Sequence, residues 1–195
     1  MENIDLLKYA ITSFAQMGES DFEKSLPYWE KRDYAKGEFY NEYKNVCKHM
    51  GFVLQGVFRA YIVNGESGEE KNVFFFSPNQ IVVSYKSFVT QTPCNYYTEA
   101  MTDSSILYIH YNNLVKLYQQ SHAWEKFGRM VAEKAFDLAM TRAESFLFLT
   151  PEERYLALIK EHPDIFNAVP LYHIASYLDI KGPSLSRIRK RMALA

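Results

Sequence analysis

The sequence has little cysteine and no long apolar run, and these two shortages exclude several classes of protein. Two cysteines in 195 residues are too few for a disulfide framework, a four-thiolate zinc site or an iron–sulfur cluster. The sequence has no run of 18 apolar residues, so it predicts no transmembrane helix. The acidic start MENIDLLKYA is unlike a secretory signal. We therefore expect a soluble protein of the cytoplasm with no membrane partner.

The common signatures of catalysis and metal binding are also missing. A cupin-like metal site needs two or three histidines clustered with a glutamate on adjacent strands, whereas no two of the five histidines lie within ten residues of each other. His49 and His110 could meet in space, but two ligands without a third make a poor site. There is no P-loop, GxSxG or GxGxxG motif. Nothing favours haem, so we expect no enzyme activity, no metal and no cofactor.

The net charge of −1 conceals an acidic body and a basic tip. Residues 181–195 contain five Lys or Arg and no acid, which leaves 17 of the 22 basic residues against all 23 acidic residues in the rest of the chain. One interpretation of the tip is a solvated terminal helix. The other is a surface that contacts a polyanion.

Residues from about 30 to 113 are typical of short β-strands. Val, Ile, Phe and Tyr are abundant there and turn residues separate the runs, which are 52–63, 70–76, 80–85, 96–101 and 105–111. The pair around the loop NGESG predicts a hairpin, and Gly56 predicts a bulge or a close approach. Several short strands at near-regular spacing indicate a sandwich or barrel. Residues 4–30 before them begin with a helical pattern.

The apolar period changes to that of a helix at residue 114. Apolar side chains recur three or four residues apart, with one break at Arg142, at Trp124, Phe127, Val131, Ala135, Leu138, Phe146 and Leu149. The pattern predicts one long helix, or two joined ones, that end at Thr150-Pro151. The stripe fits either a helix packed on its own domain or the seam of a two-helix dimer, and we favour dimerisation.

The last third of the chain predicts a helix-turn-helix. Thr150-Pro151-Glu152-Glu153 is a strong helix start, and two further helices follow around a short break at 179–182. The positions that such a motif must bury are apolar or small: Ile174, Ala175, Leu178, Ile180, Leu185 and Ile188. The exposed face of the last helix then carries groups that reach phosphates and base edges, namely Ser184, Ser186, Arg187, Arg189, Lys190 and Arg191. We expect this face to bind double-stranded DNA.

Taken as a whole, the chain resembles the CRP/FNR family of bacterial transcription regulators, and the pattern IASYL…SLSRIRKR is most similar to forms from Bacteroidetes. The resemblance implies an α+β fold with an N-terminal double-stranded β-helix (jelly roll) of cyclic-nucleotide-binding type over 1–113. It also implies a long connecting and dimerisation helix over 114–149 and a C-terminal winged helix-turn-helix over 150–195. Such proteins bind palindromic operators as homodimers, and an activator would also contact RNA polymerase.

The sequence departs from the family where cyclic nucleotides bind. The family holds the ribose with a Gly-Glu-Leu stretch and the cyclic phosphate with an Arg-Ser/Thr-Ala stretch, which correspond here to residues 79–81 and 94–96, and the arginine is missing. Because an anionic phosphate would lose a charge-assisted bidentate contact, we do not expect cyclic AMP to be a ligand. The pocket either persists for a different or uncharged ligand or is filled by tyrosines, and its lining would include Gln80, Tyr85, Asn95, Tyr96 and Tyr97.

Three further features concern the DNA-binding end. Asp179 occupies the turn position at which the family usually has glycine, so the turn must tolerate it or use its side chain. Few residues remain after the third helix, which makes a full wing doubtful. Arg187 lies at the position of the family's groove-facing arginine.

The competing interpretation is a β-roll module that binds a small ligand or a protein without operator-specific DNA binding. A third interpretation is a regulator that needs no effector.

Overall fold

The computed structural model describes residues 2–163 and 165–192. Helices α1 (Glu2–Ala15) and α2 (Glu19–Glu23) come first, and a 3-10 turn (Leu26–Tyr28) joins them to the strands. The strands are β1 (Trp29–Tyr34), β2 (Phe39–Asn41), β3 (His49–Gln55), β4 (Phe58–Val63), β5 (Glu70–Phe76), β6 (Ile81–Val82), β7 (Tyr97–Ala100) and β8 (Ser104–His110), with α3 (Tyr85–Thr90) between β6 and β7. The remaining helices are α4 (Tyr111–Gln120), α5 (His122–Phe148), α6 (Pro151–Glu161), α7 (Ile165–Ala168), α8 (Leu171–Tyr177) and α9 (Gly182–Met192). No helix in these ranges is long and apolar enough to cross a membrane.

The strands form two four-stranded antiparallel sheets that face each other. Their strand orders are β1-β8-β3-β6 and β2-β7-β4-β5. Apart from the β4–β5 hairpin, neighbours in each sheet come from distant parts of the chain, as in a jelly roll. A β-roll followed by helices confirms the α+β class predicted from the sequence.

The predicted run 52–63 is two strands. Gly56 separates β3 from β4 with a φ of +86°, a conformation that glycine adopts without strain. A Cβ at this position would lie 2.7 Å from the Cα of Ser104, so the close approach expected of Gly56 is present. The predicted hairpin is also present, because β4 and β5 pair in antiparallel register from Phe58–Phe76 to Val63–Glu70.

The interior of the roll is packed with aromatic rings. Tyr34 contacts Phe58 edge to face with ring centroids 5.4 Å apart, and Tyr40 lies 6.2 Å from the same ring. Burial raises the pKa of Tyr34 to about 12 and that of Tyr40 well above its usual value. These rings fill much of the space between the two sheets.

The predicted long helix is two helices with different surroundings. Ser121, in extended conformation, separates α4 from α5. The first part of the predicted apolar stripe, Trp124, Phe127 and Val131, is buried in the core of the roll, and the Trp124 indole donates to the carbonyl of Asp21 at 2.8 Å. The second half of α5 is largely exposed, including Leu138 and Phe146, and so is Leu149 just after it, so packing on the roll accounts only for the first half of the stripe.

The C-terminal helices form a second core. A capping box starts α6, in which the Thr150 hydroxyl accepts from the Glu153 amide and the Glu153 carboxylate accepts from the Thr150 amide at 2.8 Å.

No strand is present in the described part of residues 150–192, so that range holds a helix-turn-helix without wing strands. The predicted boundary at 195 falls outside the described residues. Of the strand expected over 80–85, only Ile81–Val82 (β6) is formed, and Tyr85 begins α3.

Candidate functional site

Helices α8 and α9 pack as a helix-turn-helix around a shared apolar core. Ile174, Ala175 and Leu178 of the α8 segment and Leu185 and Ile188 of α9 are each at most 4% exposed. Small Ala175 lets the two helices approach closely. The packing agrees with the burial predicted from the sequence, except that Ile180 is only half-buried.

The turn between these helices contains Asp179 at the position where the family usually has glycine. Asp179 has a φ of +56°, in the left-handed region that Asp tolerates better than most residues. Its carboxylate pairs with Lys71 of β5 at 2.8 Å, and this hydrogen bond lowers the pKa of Asp179. The side chain therefore acts between the helical unit and the roll, and not within the turn.

The outer face of α9 presents the predicted DNA-contact residues together. Ser186, Arg187, Arg189, Lys190 and Arg191 are exposed and Ser184 is half-buried. The Ser186 hydroxyl donates back to the Gly182 carbonyl at 3.2 Å. Arg191 is held by Glu152 of α6, with its Nε 2.6 Å from the carboxylate.

The charge of this face is only partly neutralised. Within the described residues, Arg187, Arg189 and Lys190 make no ion pair, and α9 carries no acid. Three exposed cations on one short helix form a surface that attracts phosphates. Arg191 differs from them because its guanidinium must exchange Glu152 for any new partner.

The residues predicted to line an effector pocket do not form one group. The Gln80 side chain closes its own turn by accepting from the Ser77 amide at 2.9 Å, and Asn95 is exposed. Tyr96 is half-buried beside α3, where desolvation raises its pKa. Tyr97 stacks on Tyr61 at 5.3 Å on the outer face of the second sheet.

Tyr85 lines a separate cavity of about 220 Å³ between α3, α4 and α5. Its walls are mostly apolar and include Phe88, Leu114, Tyr118 and Val131. A volume of this size is below the usual range for small-molecule sites. The cavity suits a small uncharged ligand better than a nucleotide.

The roll interior does not fit a cyclic nucleotide. Residues 87–115 contain no Lys or Arg, and the hydroxyls of Ser84 and Thr98 lie 3.4 Å apart between α3 and β7. The rings of Tyr34, Tyr40 and Phe58 occupy space between the sheets. An anionic phosphate enclosed between α3 and β7 would find no cation in residues 87–115 to offset its desolvation.

A buried polar cluster around Arg59, which the sequence analysis missed, joins the roll to the helix-turn-helix. Arg59 of β4 is 4% exposed and donates to Glu70 at 2.5 Å and to Glu99 at 2.8 Å. It also donates to Nδ1 of His173 in α8 at 2.9 Å. Because a guanidinium has no acceptor, His173 must be neutral at Nδ1.

Neighbouring contacts extend this junction. The Ser176 hydroxyl accepts from the Asn72 amide at 3.1 Å and donates to the Glu70 carbonyl at 2.9 Å. Burial and the Arg59 charge lower the pKa of His173 to about 4. Helix α8 is thus fixed on the outer face of β4 and β5 by these hydrogen bonds.

No group of three or more His, Cys, Asp or Glu side chains that could hold a metal ion is present in the part of the chain that the structure describes. His49 and His110 do meet, with ring centroids 5.0 Å apart on paired strands. Cys47 and Cys94 are both buried free thiols, and burial raises the pKa of Cys47.

Comparison with known proteins agrees with this architecture. Residues 31–121 match the family described as Cyclic nucleotide-binding domain. FixK2 from Bradyrhizobium japonicum superposes with a TM-score of 0.71 at 19% identity, covering 85% of each chain. The c-di-GMP-responsive global regulator CLP of Xanthomonas campestris gives a TM-score of 0.65 at 15% identity, covering 91% of this chain and 92% of that one.

A third neighbour is a regulator from Eubacterium rectale assigned to the crp/fnr family, with a TM-score of 0.69 at 14% identity, covering 92% of this chain and 85% of that one. A search of curated protein sequences finds no match. At these identities the structural likeness concerns the fold.

A jelly roll, a long helix and a helix-turn-helix follow one another in this chain, and the neighbours share this fold. The chain has the fold of the CRP/FNR regulators and carries their cyclic-nucleotide-binding domain over residues 31–121. The resemblance predicted from the sequence is confirmed, while the expected Bacteroidetes subtype stays a prediction.

Proposed function

We propose that the chain is a sequence-specific DNA-binding transcription regulator that works as a homodimer. The observation that carries this proposal is the outer face of α9, where Arg187, Arg189 and Lys190 are exposed and unpaired within the described residues. The regulators named above share the fold. In this proposal α9 enters the major groove and its cations neutralise phosphates.

Within α9 we assign two kinds of contact. Arg187 lies near the middle of the exposed face, with Ser184 and Ser186 beside it, and reads a base edge such as guanine O6 and N7. Arg189, Lys190 and Arg191 follow at the helix end and contact phosphates. The ion pair with Glu152 makes Arg191 the weakest of these contacts, because that pair must break first.

Selection from a pool of random duplexes, followed by a salt titration, tests the proposal. We expect a palindrome whose half-sites are about 10 bp apart, since two recognition helices must lie about 34 Å apart. Affinity should fall steeply between about 50 and 200 mM salt. Lack of enrichment even at low salt would favour the competing β-roll module.

Two variants separate the proposed roles. Arg187→Ala should relax sequence preference and cost about 1–3 kcal/mol of binding free energy, whereas Lys190→Gln should weaken all sequences alike and reduce the salt slope by about 1 per protomer. Lys116→Ala on α4 removes an equivalent exposed charge away from α9 and should leave binding unchanged. Unaltered operator preference in Arg187→Ala would remove that residue from base reading.

The second half of α5 supports the homodimer. Phe136 and Leu147 are 68% and 76% exposed, and Met140 is 43% exposed. With Ala143 they follow spacings of four, three and four, which place them on one helix face as in a coiled-coil seam. This face is not the predicted stripe, because Leu138 and Phe146 point away from it around α5. Exposed apolar side chains in such a stripe mark a contact surface.

A charge placed on this stripe should separate the protomers. We expect Phe136→Glu with Leu147→Glu to convert a dimer to a 22.8 kDa monomer in sedimentation equilibrium. Thr141→Glu, on the opposite helix face, is the matched control and should remain dimeric. A parent protein that is monomeric at micromolar concentration would contradict the seam.

Any effector is expected to be a small uncharged ligand and not cyclic AMP. The missing arginine and the aromatic interior oppose cyclic AMP, and the cavity beside Tyr85 favours a small uncharged ligand. A ligand would act only if it favoured one spacing of the two recognition helices over another. If the protein activates transcription, RNA polymerase is its further partner.

A further inference from the structure

A second cavity lies at the end of the β-roll formed by β1, β2 and the start of β3 (the open end), away from the predicted effector-pocket residues. Its volume is about 310 Å³, within the range of small-molecule sites. Strands β1, β2 and the start of β3 line it, together with the connection between β2 and β3. The lining includes Arg32, Phe39, Tyr40, Asn41, Glu42, Asn45, Val46, Cys47, Lys48 and His49.

Basic side chains converge at this cavity. His49 and His110 are directly opposite on β3 and β8, and residues opposite each other in an antiparallel pair share a face. Arg32 lies on the same inner face, with its guanidinium 4.6 Å above the Tyr34 ring. Lys48 precedes His49, and its carbonyl is held by the Tyr111 amide at 2.8 Å.

These charges have little compensation from the protein. Among the described residues, neither Arg32 nor Lys48 forms an ion pair. The nearby carboxylates are Glu42, which lines the cavity, and Glu30, which already accepts from the Tyr108 hydroxyl at 2.7 Å. Burial, His110, Arg32 and Lys48 together lower the pKa of His49 to about 4, against the opposing effect of Glu30.

The floor of the cavity is rigid and offers unused donors. Tyr40 donates to the His49 carbonyl at 2.6 Å, and the Cys47 amide donates to the Ser87 hydroxyl at 3.0 Å. The Asn41 side chain is nearly buried, yet its one amide hydrogen bond with a described residue is long, at 3.4 Å to the Glu42 carbonyl. An amide in that position can donate to a ligand oxygen.

We propose that this end of the roll binds a small phosphorylated compound through Arg32, Lys48 and His49, with an apolar part of the ligand against Phe39 and Tyr40. A phosphate matches the site better than a carboxylate because it offers three oxygens and nearly two charges to a guanidinium fork, an ammonium and an amide. The site is independent of DNA binding and distinct from the positions at which the family holds cyclic nucleotides.

The test uses the full chain labelled at the histidine Cε1 position and phenyl phosphate as the probe. We expect saturable shifts of the His49 and His110 resonances, weaker binding of inorganic phosphate and of benzoate, and no shift with phenol. Arg32→Gln and Lys48→Gln should each weaken phenyl phosphate roughly ten- to a hundredfold. Both side chains are exposed, so thermal unfolding should confirm that the variants are folded.

Lys31→Gln is the matched control. Lys31 neighbours Arg32 on β1 but points to the opposite face and pairs with Asp33 at 3.1 Å, so affinity should change less than twofold. Shifts that never saturate, or equal affinity in all three variants, would overturn the site. Benzoate binding as tightly as phenyl phosphate would overturn the choice of phosphate.

Discussion

The buried Arg59 cluster predicts a large and specific effect on stability. In Arg59→Met the guanidinium is lost, and with it the hydrogen bonds to Glu70, Glu99 and His173. Glu99 is 20% exposed and His173 only 4% exposed, so water cannot fully replace the lost donor. Breaking a buried pair by removing one partner costs about 3–5 kcal/mol.

That loss is a large part of the free energy of unfolding of a typical domain, about 5–15 kcal/mol. At about 2–4 °C per kcal/mol for a chain of this length, it lowers the melting temperature by roughly 6–20 °C. Urea unfolding at fixed protein concentration measures it. Trp29 and Trp124 both lie in the roll and its helices, so their fluorescence reports on the roll, and far-UV circular dichroism adds the C-terminal helices.

A matched control lies at the same junction. Lys71 and Asp179 also link the roll to the helical unit, but their side chains are 52% and 54% exposed, so Lys71→Met should cost at most about 1 kcal/mol. An Arg59→Met variant no less stable than Lys71→Met would refute the reasoning. Early melting of the helical unit alone would show that Arg59 acts mainly on docking.

Three further predictions follow from local geometry. His173 is neutral in the fold with a pKa near 4 but titrates near 6.5 when unfolded, so the free energy of unfolding should fall by on the order of 2 kcal/mol as the pH drops from about 6.5 to 4. In urea titrations His173→Gln should flatten this dependence on pH, and an unchanged dependence would exclude the residue. Gly56→Ala meets Ser104 at a positive φ and should lose more than about 2 kcal/mol in thermal melts, while Gly65→Ala, with open space around it, should lie within about 0.5 kcal/mol of the parent. Thr150→Ala removes the cap of α6 and should cost about 1 kcal/mol of unfolding free energy; no change would mean that water replaces the cap.

Much of the fold was predictable because its signals are local. The change of apolar period near residue 114, the Thr150 cap and the glycine at position 56 each depend on a few neighbouring residues. The same holds for α9, whose apolar positions Leu185 and Ile188 alternate with basic ones at helical spacing. These patterns predicted the order of roll and helices, whereas the CRP/FNR fold was what the resemblance implied, and comparison with solved structures confirms it.

The predicted effector pocket shows where such reasoning stops. Tyr96 and Tyr97 are adjacent in the chain, but Tyr96 precedes β7 and lies half-buried beside α3. Tyr97 joins Tyr61 outside the roll, whereas Thr98 faces Ser84 inside. Helix α3 was missed because its residues Tyr85–Thr90 are rich in β-favouring types, and tertiary packing overrode that preference.

The sequence by itself determined the order of the three main parts (roll, long helical region and helix-turn-helix), the basic residues of α9 and the lack of a phosphate-binding arginine in the nucleotide region. Only the tertiary structure decided which distant residues meet: Arg59 with His173 across the two units, and Arg32 with His49 at the open end of the roll. The physical reason is range. Helix periods, caps and turns depend on residues a few positions apart, whereas these contacts depend on strand register and on how α8 docks on β4 and β5.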